Sequence, residues 1–244
     1  MKRFLTLILL LAGFYLVAQD STPIVTDRPT QSAGSLVVPK GNVLIEYGFL
    51  REKSSGLTSL TFANVLVRMG ILKGVELRVT QNYLQQKFAV ADNKVNGLSP
   101  TTIGTKVHLV KENGIVPQMS VIGQVTLTNG ANSFSPNDPI PEVRFNFSNT
   151  LSKRVSLGYN LAMAFPEGGS QTFYTMVLGY AFAPGWTFFA EPYGSFFDGN
   201  ADHRFDTGII YLVKDNLQFD VSVGHRLTDI EPDTFIGFGA AIGF

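Results

Sequence analysis

The stretch D-T-F-I-G-F-G-A-A-I-G-F, Asp233 to Phe244, decides how the rest of the chain reads. Counting back by twos from Phe244 gives Ile242, Ala240, Phe238 and Ile236, all apolar. Between them stand Gly243, Ala241, Gly239, Gly237 and Phe235, mostly small. That alternation is the period of a β-strand, with one face fit for lipid and one lined by glycine.

Upstream the pattern repeats. Strand signals are expected over 42–52, 58–69, 74–84, 101–111, 116–128, 142–151, 154–165, 171–182, 186–197, 203–213, 217–226 and 233–244. They form an even set, with lengths near the roughly 9–11 residues that cross a bilayer when tilted. Faces separate in many of them. Val143, Phe145 and Phe147 oppose Glu142, Arg144, Asn146 and Ser148, and Leu217, Phe219, Val221 and Val223 oppose Gln218, Asp220, Ser222 and Arg226. The segment T-F-F-A-E-P-Y at 187–193 alternates poorly, as does 58–69, so their registers stay open. Helical periodicity is nowhere sustained.

Connections of one parity are short, such as Ser152-Lys153 and Lys214-Asp215-Asn216. Those of the other parity are longer or more polar, such as 85–100, 129–141, 198–202 and 227–232. Short turns on one side and longer loops on the other is the outer-membrane arrangement. The fold class expected is therefore all-β: an antiparallel transmembrane β-barrel of about 12 strands over 42–244. Asp233 to Phe244 then resembles the closing strand of such a barrel. Its partner should be the strand beginning at Asn42, with Val43, Ile45, Tyr47 and Phe49 on the lipid face. A soluble secreted β-sandwich is the rival, since each strand alone fits both.

The 244 residues carry formal net charge zero and no Cys. This excludes a disulfide framework and a thiolate metal site, and no basic excess points to nucleic acid. Gly at 24 and Phe at 20 suit a barrel. Lys2 and Arg3 precede the apolar run Phe4 to Val17, and cleavage after Ala18 gives a signal peptide over 1–18. The run is shorter than the ~18 apolar residues of a membrane anchor. Removing Lys2 and Arg3 leaves 17 Lys+Arg against 19 Asp+Glu, a mature chain near −2. Residues 19–41, rich in Pro, Ser and Thr, read as an irregular segment that plugs the lumen or staples the rim.

Thr26-Asp27-Arg28-Pro29, then Val37-Val38-Pro39-Lys40-Gly41, then Ile45-Glu46-Tyr47-Gly48-Phe49 add a family signal. They resemble the start of the bacterial outer-membrane barrels known as phenol-degradation meta-pathway proteins, or simply transporters. The match spans about 26–50. Where that family has a second acid and an E-S pair, this chain has Thr30 and Gln31-Ser32-Ala33. The resemblance implies a barrel passing small, often hydrophobic or aromatic, compounds across the outer membrane of a Gram-negative bacterium.

The candidate lumen or substrate-path residues are Asp27, Arg28, Glu46, Arg68, Glu76, Arg78, Lys106, Glu142, Arg144, Arg204, Asp206 and Asp220, with Arg154 and Arg226 on the same registers. Both signs occur, as in a lining of ion pairs rather than a one-sign selectivity ring. His108 faces the lumen, and His203 and His225 sit near the outer ends of a hairpin as possible neighbours. No serine motif stands beside them, so no enzyme is expected. Asp198-Gly199-Asn200-Ala201-Asp202 opens like a calcium loop but lacks the later ligands, and reads as a polar hairpin loop. No cofactor or metal is expected. The partners are outer-membrane lipid, the barrel assembly machinery, with Phe244 as assembly signal, and an unidentified small solute. A non-conducting structural or binding barrel is the alternative function.

Overall fold

The computed structural model describes residues 23–89, 93–228 and 233–244. The expected signal peptide and its cleavage point lie outside the described residues. So do parts of the 85–100 and 227–232 loops.

The strands are β1 (Val43–Ser54), β2 (Leu57–Leu72), β3 (Val75–Phe88), β4 (Asn93–Leu98), β5 (Thr102–Val110), β6 (Gln118–Thr126), β7 (Ile140–Thr150), β8 (Val155–Ala164), β9 (Gln171–Ala183), β10 (Trp186–Phe197), β11 (Asn200–Lys214), β12 (Leu217–Arg226) and β13 (Thr234–Gly243). Twelve of them close into an antiparallel ring, β13 pairing with β1. Closure leaves no free edge, which a sheet in hydrocarbon requires. The expected twelve-strand fold holds, and the closing pair is the expected one. Ile45 faces Ile242, Tyr47 faces Ala240 and Phe49 faces Phe238. The last two rings stack at 4.9 Å. Phe244 is exposed, and its backbone bonds both ways with Val43, at 2.8 and 3.0 Å.

β4 is the strand the sequence pattern missed. It pairs only with the outer end of β3, from Tyr83↔Leu98 to Phe88↔Asn93, while β5 takes the inner end. N-K-V-N-G-L has little strand propensity. It forms because β3 runs on past the ring and offers an open edge.

Loop parity needs correcting at 198–202. No long loop stands there: β11 begins at Asn200, and Asp198-Gly199 makes a two-residue turn with φ of 48° and 74°. Positive φ at both positions is what a tight hairpin of this hand demands, and Asp-Gly supplies it. The calcium-loop resemblance disappears with the loop. Among the described residues no group of three or more acidic or His side chains is placed to hold a metal. Ser55-Gly56 is equally tight.

The open registers are now fixed. In β10, Phe189 and Glu191 point into the ring and are fully buried, while Phe188 is exposed outside. Phe189 breaks the alternation because it lies over Gly208 of β11, where a Cβ would meet its ring at 2.6 Å. Phe235 likewise covers Gly224. The lumen is thus not purely polar.

Candidate functional site

The N-terminal segment runs into the ring and back before β1 starts. Near the inner rim, Ile24 N–H donates to Asp215 C=O at 2.7 Å. Thr26 Oγ1 donates to Gln218 Oε1 at 3.1 Å, and Arg28 reaches Asp220 of β12 at 2.9 Å. The segment then crosses to the far wall. There Gln31 and Ser32 N–H donate to Glu191 at 2.7 and 2.8 Å, and Ser32 Oγ adds a bond at 2.6 Å. Ala33 N–H donates to Asn160 at 2.7 Å, and Ser35 Oγ meets Ser148 Oγ at 2.5 Å. Returning, Val38 N–H donates to Glu76 at 2.7 Å, and Lys40 bridges to Gly70. Prolines and small polar residues fit this path: a chain with no ladder of its own needs its backbone groups satisfied by the wall.

Asp27 is the centre. Its carboxylate faces Arg78 at 2.7 Å, Lys106 at 3.3 Å and Arg68 at 3.4 Å. Glu76 holds Arg78 at 2.8 Å and Arg68 at 2.9 Å, and Glu46 holds Arg68 at 3.2 Å while accepting from Asp27 N–H. Three cations thus balance three carboxylates, and no side chain among them is more than 9% exposed. Burial alone would raise the Asp27 carboxyl. Arg68, Lys106 and Arg78 outweigh it and hold that carboxyl well below the usual carboxylate range.

Arg28 occupies a slot made by missing side chains. Gly48 and Gly239 face each other across the closing pair, and a Cβ on either would run into the Arg28 guanidinium. The glycine row of the closing strand therefore makes room for a ligand from the N-terminal segment.

The remaining candidates separate. Glu142 and Arg144 pair with each other at 3.0 Å, and Arg144 also donates to Gln31 C=O. Arg204 belongs to a second network at the outer rim, with Glu52 at 2.9 Å, Asp202 at 3.0 Å and Asp233 at 2.9 Å; Arg226 joins it through Asp202 and Asp233. Asp206 is buried opposite Glu191, and neither of its carboxylate oxygens has a hydrogen-bond partner among the described residues. Arg154 does not face the lumen: it is exposed in the turn before β8, one residue short of the ladder. His108 bonds Gln118, and His203 bonds Tyr174 on the outer face.

Sequence reading missed Glu191. Its signal was present, an acid in an apolar strand, but the Phe188-Phe189 pair hid the phase. It also missed Asn160, Thr175 and Ser148 as partners of the segment.

Above the segment lies a cavity of about 380 Å³. Leu50, Phe173, Tyr193 and Phe235 form its apolar wall, and Arg144, Arg204 and Gln31 line it too. Glu52 and Arg204 also line a smaller cavity of about 190 Å³ near the rim.

A closed ring, an apolar exterior and charges turned inward define an outer-membrane β-barrel with an N-terminal segment seated in its lumen. The chain belongs to the family described as "Putative MetA-pathway of phenol degradation", whose model matches residues 26–244. Among solved structures it is similar to an outer membrane channel from Pseudomonas putida F1, at 12% identity and TM-score 0.70, covering 88% of this chain and 100% of that one. It is also similar to the KdgM porin in complex with disordered oligogalacturonate (13%, TM-score 0.56, 82% and 99% covered) and to the NanC porin (8%, 0.55, 81% and 98%). Identities of this size speak for the fold. Among curated proteins none matches the chain in sequence.

Proposed function

We propose that the chain gives small solutes a passive route across the outer membrane, and that the docked N-terminal segment is its closed state. The observation that carries this is the layering of the lumen. An outer cavity of about 380 Å³ descends to Gln31, and beneath it the segment is seated on wall charges. The seat consists of hydrogen bonds and ion pairs, which can be exchanged for water without breaking a covalent bond. The outer cavity sets Phe173, Tyr193, Phe235 and Leu50 beside Arg144 and Arg204, which suits a small solute with an aromatic or apolar body and a polar group. The family description, naming phenol degradation, leans the same way. Asp27, Arg28, Glu46, Arg68, Glu76, Arg78, Lys106 and Asp220 hold the segment; Glu142, Arg144, Arg204 and Asp206 lie along or beside the path.

The depth of the Asp27 network favours a second reading, a non-conducting barrel whose lumen is tied shut. Proteoliposome swelling separates the two. Barrels lacking residues 20–40 should admit small solutes far faster than the full chain, with folding checked by heat-modifiable mobility. Slow but measurable swelling of the full chain supports the route. A full chain that admits nothing, opened only by the deletion, supports the tied-shut reading, and absence of swelling in both forms contradicts the route. No catalytic role is assigned. Phe244 is proposed as the residue read by the barrel assembly machinery, and its deletion should lower outer-membrane yield.

A further inference from the structure

The outward face of the ring carries a basic patch that the lumen does not use. Cross-strand register sets His225, Thr234, Lys53, Thr58, Lys87 and Lys94 in one row across β12, β13, β1, β2, β3 and β4. Their chain neighbours Glu52, Ser54, Ser59 and Gln86 line the inner cavity, so this row points out. Arg51 lies one step lower on the same face. Arg51, Lys53, Lys87 and Lys94 are all exposed. Among the described residues no carboxylate is paired with Arg51, Lys53 or Lys94, whereas Glu52, between Arg51 and Lys53, turns inward to Arg204.

Height fixes what can meet this patch. From Val43 the outward residues of β1 are Val43, Ile45, Tyr47 and Phe49, then Arg51 and Lys53. Val43 to Arg51 is roughly 26 Å along a strand, or about 20 Å of height at the usual tilt, and Lys53 adds about 5 Å. Arg51 and Lys53 therefore bracket the edge of an apolar band about 25 Å tall. Directly beneath them Phe49, Phe62, Tyr83 and Phe238 form an aromatic cluster at acyl depth. Lys53 to Lys94 spans three strand spacings, about 14 Å. At the outer ends of β8, β9, β10 and β11 the outward residues include Phe165, Tyr174, Phe196 and His203, with no Lys or Arg. The basic charge is confined to one sector.

We propose that this sector binds the phosphorylated glycolipid headgroup of the outer leaflet, with Arg51, Lys53 and Lys94 on its phosphates and the aromatic cluster against its acyl chains. Guanidinium and ammonium groups are phosphate ligands, and the low-dielectric boundary beneath strengthens each contact. The sector includes the closing pair β13–β1, so a bound lipid would brace the seam.

The test is native mass spectrometry of the full barrel with bisphosphorylated lipid A, its dephosphorylated form and phosphatidylglycerol. The variant R51Q/K53Q/K94Q is compared with K73Q/K153Q/K214Q, which loses the same charge at the opposite rim. Lipid A binding should weaken about tenfold in the first and stay near wild type in the second. Dephosphorylated lipid A and phosphatidylglycerol should bind the wild type more weakly than lipid A. Equal lipid A binding by both variants overturns the proposal. So does equal binding of the dephosphorylated lipid, or of phosphatidylglycerol.

Discussion

The Asp27 network and the Arg204 network both set Arg against Asp and Glu, the first with Lys106 added, at 2.7–3.4 Å around Asp27 and 2.9–3.1 Å around Arg204. They differ in depth. Around Asp27 the side chains are 0–9% exposed; around Arg204, Glu52 and Asp202 they are 20–30% exposed. Depth decides what each can do. At the rim, Arg204, Glu52 and Asp202 stay partly in water and only Asp233 is buried, so the exposed pairs there are worth about 0–1 kcal/mol each and leave the mouth adaptable. In the inner half the charges have only one another and the N-terminal backbone. Removing one strands the rest, at about 3–5 kcal/mol. One network shapes a mouth and the other seats a closure.

The contrast can be broken from the deep side first. Asp27→Ala leaves Arg68, Arg78 and Lys106 facing two carboxylates and should weaken docking of residues 23–40 by about 3–5 kcal/mol. Hydrogen exchange over that segment checks it; unchanged protection would mean the network holds the wall alone. Acid should mimic the change. The seated Asp27 carboxyl is held below its ordinary value of about 3.9, so its contribution is full above that value and is lost as pH falls below it. The segment should stay seated through neutrality and loosen only in strong acid.

Gly48→Val fills the Arg28 slot and leaves Asp220 with Gln218 but without its cation, an expected loss of about 1–3 kcal/mol, read by the same exchange experiment. Asp206→Asn should act in the opposite sense. It removes one of two facing carboxylates, while Glu191 keeps its three hydrogen bonds from Gln31 and Ser32. Slower exchange of those amides, by up to about 1 kcal/mol, is expected. Glu52→Gln at the rim should change stability by less than about 1 kcal/mol, an effect that added salt erases.

How far the sequence was legible follows the same division. The ring was readable because lipid forces alternation on most membrane-facing strands, and Phe238, Ala240 and Ile242 announce their partners Phe49, Tyr47 and Ile45. Alternation failed where lipid exerts no force, and in β2 where a bulge between Thr61 and Ala63 shifts the register. β4 stands beyond the membrane edge, and Phe189 was free to turn inward because Gly208 left it room. Most of the deep inward charges were legible, while Glu191 and the rim acids Glu52, Asp202 and Asp233 were not. The division into a deep and a shallow network was not legible either, since it depends on where residues 23–40 run. Asp27 is 41 positions from Arg68 and 79 from Lys106, and no spacing rule links them. The glycines of the closing strand showed a small face without naming Arg28 as its occupant.

The claim that passage requires the segment to leave its seat can be tested with one reversible bond. The chain has no Cys, and Ser35 Oγ and Ser148 Oγ already touch at 2.5 Å, within reach of a disulfide. In Ser35→Cys/Ser148→Cys proteoliposomes, small-solute flux should be blocked under oxidation and return to the unlocked level on adding reductant. Equal flux in the oxidised and reduced states would contradict the account.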